Sequence, residues 1–144
     1  MDVQFVASFS PIVADPSAAR AFYQEALGLS FEGEADDYVF TETLGGVKHF
    51  GLWPLTEAAQ ACYGQPDWPS SVPVPQASLE FELPSPEAVP AAAAELAGQG
   101  HRLIHDARTE PWGQIIARLL GPEGMVVGVC FTPWFHEGAG QGER

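Results

Sequence analysis

The sequence predicts an α+β fold made of one module written twice, and three observations carry that prediction. The strand QFVASFSPIV runs into Asp15-Pro16 and a helix, and the strand ASLEFEL runs into Ser85-Pro86 and a second helix. Ser8 stands seven residues before Asp15, and Ser78 stands seven before Ser85. Each half closes with a glycine-interrupted apolar strand, VKHFGLWPL in the first and GMVVGVCFT in the second. The shared plan is strand, Pro-started helix, Gly stop and three strands. Two tandem βαβββ modules, at about 4–55 and 77–135, can together build a two-sided cup. At 144 residues the chain has the length of one domain with a real core, placed at 1–135.

The first strand alternates, with Phe5, Ala7, Phe9 and Val13 on one face and Val6, Ser8, Ser10 and Ile12 on the other. Asp15 suits an N-cap with Pro16 at the first helical position. Ala19, Phe22, Tyr23, Ala26 and Leu27 then follow helical spacing as far as Gly28. Strands are predicted near 29–33, 37–44 and 47–55, the last two joined at Gly45-Gly46. A connector over 56–76 carries TEAAQACYG, able to form a short helix, and the proline-rich QPDWPSSVPVPQ, which is not. In the second half, Leu79, Phe81 and Leu83 oppose Ser78, Glu80 and Glu82. An Ala-rich helix over about 86–97 precedes strands near 102–108, 113–120 and 125–132. The tail over 136–144 has no apolar anchor and is expected to be mobile.

Six Lys+Arg against nineteen Asp+Glu leave a net charge of −13. Too few cations are present to displace phosphate counterions, which disfavours a nucleic-acid partner. A negative field attracts cationic ligands, although it also serves solubility alone. No apolar run is long enough to span a bilayer, and the N-terminus lacks the basic start of a signal peptide, so a cytoplasmic protein is expected. Cys62 and Cys130 read as reduced thiols, the one a small surface residue and the other a core thiol. No nucleophile elbow, phosphate loop, CxxC pair or HExxH helix occurs.

The stretches SFSPIVADPSAARAFYQEALGLSF, ASLEFELPSPEAVPAAAAELAGQGHRL and EPWGQIIARLLGPEGMVVGV resemble the glyoxalase / bleomycin-resistance / extradiol-dioxygenase (vicinal oxygen chelate) superfamily. Asp15 followed by AFYQEALGL carries the likeness, and PWGQ followed by GPEG points to the bleomycin-resistance branch. The resemblance implies curved mixed sheets around a shared cup-like cavity, and commonly a homodimer. It also implies where a metal would sit in metal-dependent members: a His on the first strand of each module and a carboxylate on the last. Those positions fall on Ser8, Ser78 and Gly128, and by the internal repeat on Gly51. Serine and glycine supply neither imidazole nor carboxylate and leave space in the cup, so neither metal nor other cofactor is expected.

The cup is then expected to be a binding cavity, with His49, Trp53, Trp112, Phe40, Glu80, Ser8, Ser78 and Cys130 on its wall and Tyr38 as a further candidate. Such a wall suits an aromatic small molecule, and Glu80 favours a cationic one. Each residue also has a structural role open to it: Trp53 and Phe40 as core, His49 as a hydrogen-bonded structural imidazole, Glu80 as the partner of Arg118. Glu82 reads as a solvated strand-end carboxylate. The expected function is a metal-free small-molecule binding protein of the bleomycin-resistance type that sequesters its ligand. The alternatives are a glyoxalase- or dioxygenase-like enzyme with a relocated metal at His49 and Glu80, and a partner protein whose cup is filled by its own side chains.

Overall fold

In the computed structural model, which describes residues 1–34 and 36–137, seven strands form one mixed sheet. The elements in chain order are β1 (Phe5–Val13), α1 (Pro16–Arg20, continuing as π-helix over Ala21–Ala26), β2 (Val39–Thr41), β3 (His49–Pro54), α2 (Leu55–Tyr63), β4 (Ala77–Glu82), α3 (Ala88–Gly98), β5 (Leu103–Thr109), β6 (Ile115–Leu120) and β7 (Val126–Phe131). A 3₁₀ turn, Pro133–Phe135, follows. The strand order is β2-β3-β1-β4-β7-β6-β5. The first strands of the two halves, β1 and β4, pair antiparallel at the centre, each flanked by its own half's last strand running parallel to it. That pairing closes the cup within one chain.

With Ser8 matched to Ser78 by their spacing before Asp15 and Ser85, the register extends the internal equivalence. Ser8 lies beside His49 as Ser78 lies beside Val126. The same offset carries Gly51 onto Gly128, so the two glycines occupy corresponding places.

The halves nonetheless differ. Asp15 caps α1 as expected, its carboxylate accepting from the Ala18 amide at 3.1 Å. The helix then widens, with the Leu27 amide bonding back to the Phe22 carbonyl five residues earlier. The wider turns split the expected apolar stripe: no residue of this helix is buried, Phe22 and Leu27 point outward, and Tyr23 keeps an edge contact with Phe50 of β3 at 5.9 Å. By contrast, α3 buries Val89, Ala92 and Ala93 against Leu83, Ala117 and Val129. The strand expected at 29–33 reduces to one bridge, Glu32 to Phe40. Gly33, at φ +114°, turns the chain away there, and a side chain would strike the Tyr38 carbonyl.

Two pieces cover the ends of the concave face. The short helix foreseen in the connector is α2, which packs Ala58 and Cys62 against Trp53 and Val126. Cys62 is therefore buried and not a surface residue. At the other end Phe135 joins Ala7, Ile116 and Cys130. Of the tail expected to be mobile, residues 138–144 lie outside the described residues, while His136 is held. It stacks on Phe131 with ring centroids 4.4 Å apart and meets Glu82 at 2.8 Å. Glu82 is consequently 0% exposed, against the expectation of a solvated carboxylate. It also accepts from the Thr132 amide, because the chain after β7 folds back over the strand end. Among the described residues no helix is long and apolar enough to cross a membrane.

Candidate ligand cavity

One row of residues crosses the centre of the concave face: His49 on β3, Ser8 on β1, Glu80 on β4, Gly128 on β7 and Arg118 on β6. Directly opposed positions share a face, so the register alone gathers them. Between α2 and the Pro133–Phe135 turn this row opens into a cavity of about 450 Å³. An open cavity of that size contradicts the alternative in which the cup is filled by its own side chains. Ser8, Phe40, His49, Trp53, Glu80 and Trp112 line it, as the sequence predicted for the cavity wall.

Ser78 and Cys130 do not. Both are buried behind the wall, two residues along the strands to either side of that row, where other elements cover them. Ser78 pairs with Val126, which α2 packs upon, and its hydroxyl has no hydrogen-bond partner. Cys130 lies under Phe135, its thiol directed to the Phe81 carbonyl and to Glu82. Burial first, then the nearby Glu80 and Glu82 charges, push that thiol well above its ordinary value. Burial likewise pushes the Cys62 thiol up to about 11, so neither cysteine is a ready nucleophile.

The first half contributes a connected polar chain. Glu42 Oε2 meets His49 Nδ1 at 2.6 Å, and His49 Nε2 meets the Tyr38 hydroxyl at 2.5 Å. Trp134 Nε1 donates to the same Glu42 oxygen at 3.3 Å. Tyr38, His49 and Phe40 lie with nearly parallel rings, 5.0–5.9 Å between centroids, which fixes the imidazole plane. Burial, reinforced by the Glu80, Glu42 and Glu57 charges, holds the Tyr38 phenol well above its ordinary value, and Ser10 only partly offsets this. Tyr38 therefore keeps its proton. Ser10, Glu42, Glu57, Gln114, Thr132 and Trp134 line the cavity without having been singled out in the sequence. The alternation of β1 places Ser10 beside Ser8, but nothing local marks the others.

The second half contributes a different network. Gln114 Nε2 donates to Glu80 at 3.0 Å and to Thr132 at 3.1 Å, and Trp112 Nε1 donates to Gln114 Oε1 at 3.1 Å. Arg118 does not pair with Glu80. It donates to Glu110 at 2.8 Å and lies over the Trp53 ring at 5.6 Å. Arg108 donates to the other Glu110 oxygen at 3.0 Å, so the glutamate bridges two guanidinium groups across the β5–β6 hairpin. Among the described residues Glu80 is thus left with an amide partner and no cation, while Arg118's charge is already matched.

Burial pushes the Glu110 carboxyl up, but the charges and hydrogen bonds of Arg118 and Arg108 outweigh it and hold the group below its ordinary value. A depressed carboxylate contributes fully above its unfolded value of about 4.3 and loses that contribution as pH falls through the lower folded value. Glu110→Gln should therefore flatten the acid limb: its urea midpoint should fall less steeply than the wild type's below about pH 4.3. Parallel acid limbs would contradict the assignment.

The residues present do not fit the metal that the resemblance associates with this fold. A Cβ at Gly51 would collide with the Tyr38 hydroxyl, and one at Gly128 would lie 2.7 Å from the Ile116 side chain and 3.3 Å from Glu80. The two glycine positions are thus not vacant: neighbouring side chains fill the space a ligating carboxylate would need. This corrects the expectation that they leave room in the cup. His49 has both ring nitrogens engaged, and Glu80 is bonded to Gln114, so a relocated site on these two residues is not assembled either. Among the described residues no group of three or more His, Cys, Asp and Glu side chains is arranged to hold a metal ion.

A search among curated proteins finds no match. Among solved structures, a Legionella pneumophila protein described as an NAD-dependent benzaldehyde dehydrogenase superposes with a TM-score of 0.57 at 14% identity, over 86% of this chain and 96% of that one. A Vibrio splendidus 12B01 member of the glyoxalase/bleomycin resistance protein/dioxygenase superfamily gives 0.56 at 16% identity, over 89% and 98%. A single-residue variant of Streptomyces coelicolor methylmalonyl-CoA epimerase, in complex with 2-nitronate-propionyl-CoA, gives 0.54 at 16% identity, over 91% and 96%. At these identities the likeness is one of fold. The sequence profile described as the Glyoxalase/Bleomycin resistance protein/Dioxygenase superfamily matches residues 6–129. With the paired halves and the cup already in place, that match spans nearly the whole folded region, and the chain belongs to this superfamily.

Proposed function

We propose that the protein is a small-molecule binding protein of the bleomycin-resistance type, which takes an aromatic, cationic compound into its cup without a metal and sequesters it. The observation that carries this is the character of the cavity wall. Trp53, Trp112, Trp134 and Phe40 supply flat apolar surface, and Glu57 and Glu80 supply negative charge with no ion-pair partner among the described contacts. A cavity of about 450 Å³ lies within the range that holds one drug-sized molecule. Aromatic walls attract both a flat ring system and a cation, and the net charge of −13 raises the encounter rate of cations. Sequestration asks for affinity and abundance and for no reactive group, which suits a site whose serine and glycine positions offer a metal neither imidazole nor carboxylate.

Tryptophan fluorescence tests this directly, because three of the chain's four tryptophans line the cavity. Saturable quenching by an aromatic cation at micromolar concentration is expected. Trp112 is 51% exposed at the cavity mouth. Trp112→Ala should therefore weaken binding roughly five- to ten-fold while leaving the unfolding midpoint nearly unchanged. A panel of aromatic and heterocyclic cations that leaves the emission untouched would remove the proposal's support.

A further inference from the structure

We propose that the Tyr38 hydroxyl is the polar recognition point of the cavity and that it acts as an acceptor, selecting ligands whose cationic nitrogen still carries an N–H. The inference rests on the binding function proposed above and deepens it by naming the ligand class.

With a neutral imidazole at His49, the hydrogen-bond pattern sets the direction. An ionised carboxylate only accepts, so the 2.6 Å contact between Glu42 and His49 requires a proton on Nδ1. A neutral imidazole protonated at Nδ1 presents Nε2 as an acceptor. The phenol 2.5 Å away must then be the donor, so the one proton Tyr38 owns is committed to His49. What the oxygen has left is acceptor capacity, part of which Ser10 takes by donating its hydroxyl and part of which remains for a ligand.

The position of the oxygen is equally determined. It occupies the space a Gly51 Cβ would need, so only glycine at 51 lets it reach this place. Ring stacking with His49 and Phe40 prevents the phenol from turning away. The groups around it reinforce the choice of ligand. Glu42, Glu57 and Glu80 also line the cavity, and the cation among its lining residues, Arg118, is matched by Glu110. A neutral acceptor surrounded by carboxylates favours an incoming ammonium or amidinium N–H over a carbonyl, a carboxylate or a fully alkylated cation.

Two probes of matched ring system separate charge from N–H donation: 1-naphthylmethylammonium and its N,N,N-trimethyl derivative. Titrated calorimetrically at about pH 8, where an ordinary imidazole is neutral, the primary ammonium should bind wild type roughly ten-fold more tightly. In Tyr38→Phe, which keeps the ring over Gly51, that preference should shrink to about two-fold or less. His49→Phe keeps the stack but removes the acceptor for the Tyr38 proton, so the hydroxyl can turn its proton to the cavity. The preference should fall in this variant too, which provides a second route should the first fold poorly. Equal binding of the two probes to wild type, or a preference that survives in Tyr38→Phe, would overturn the role of Tyr38 while leaving the binding function intact. Failure of both probes to bind at millimolar concentration would overturn both.

Discussion

Replacing Glu110 with alanine should cost about 3–5 kcal/mol of folding stability, the loss expected when one partner of a buried ion pair is removed. Arg118 is 1% exposed and its Nε already lacks a hydrogen-bond partner. Glu110 is its only carboxylate partner among the described contacts; the others are the His105 ring and the Ala61 carbonyl. Without Glu110 the guanidinium would remain buried, uncompensated and held under Trp53. The double variant Glu110→Leu with Arg118→Met should recover most of the loss, since replacing such a pair by apolar groups of similar volume is commonly neutral. Urea unfolding of the single and double variants measures both. A single variant costing less than about 1 kcal/mol would show that Arg118 escapes to solvent or finds another counterion.

Gly51→Ala should be the most damaging small substitution, at about 3 kcal/mol. A Cβ there would overlap the hydroxyl and Cζ of Tyr38 and lie 2.6 Å from its Cε1. The ring would have to leave its stack and give up the bond to His49. A double-mutant cycle isolates the cause. In a Tyr38→Ala background, where the obstruction is gone, the same Gly51→Ala change should cost under about 1 kcal/mol, leaving a coupling of about 2 kcal/mol or more. Additive effects would mean that Gly51 is required for some reason other than the phenol above it. The result also bears on metal chemistry, because an aspartate or glutamate at 51 meets the same obstruction before any ion is considered.

Much of the fold was legible because it depends on local signals. The Asp15-Pro16 cap, the α2 segment and the β6–β7 hairpin each follow from period, cap and turn chemistry within a few residues, whereas a bulge between Val6 and Ser8 breaks the alternation expected of β1 and puts Phe5 on the face of Ser8. With Ser8 matched to Ser78 by the duplicated landmarks, the strand register carries Gly51 onto Gly128, the pairing read from the repeat. What failed was non-local. Cys130 and Ser78 share strand faces with cavity residues, yet α2 and Phe135 cover them from far along the chain. Glu82 was expected in solvent because nothing in its own strand reveals that His136 folds back over it. Arg118 was set against Glu80 as a neighbour, whereas shifts in the β5–β6 register bring Glu110 to it instead. The first helix failed for a local reason that spacing conceals: its π-turns move Phe22 and Leu27 out of the expected stripe. The space at Gly51 was misread because Tyr38, from the segment leading into β2, fills it.

The central claim is that the cup binds an aromatic cation with its own side chains and no metal. Calorimetric titration of chelator-treated protein with 1-naphthylmethylammonium tests it most directly, repeated after addition of Zn²⁺, Ni²⁺, Mn²⁺ or Fe²⁺. Saturable binding at one site per chain, with an affinity that none of the ions changes by more than about two-fold, is the predicted result. Binding that appears only once a divalent ion is restored, with that ion retained near one per chain, would contradict it.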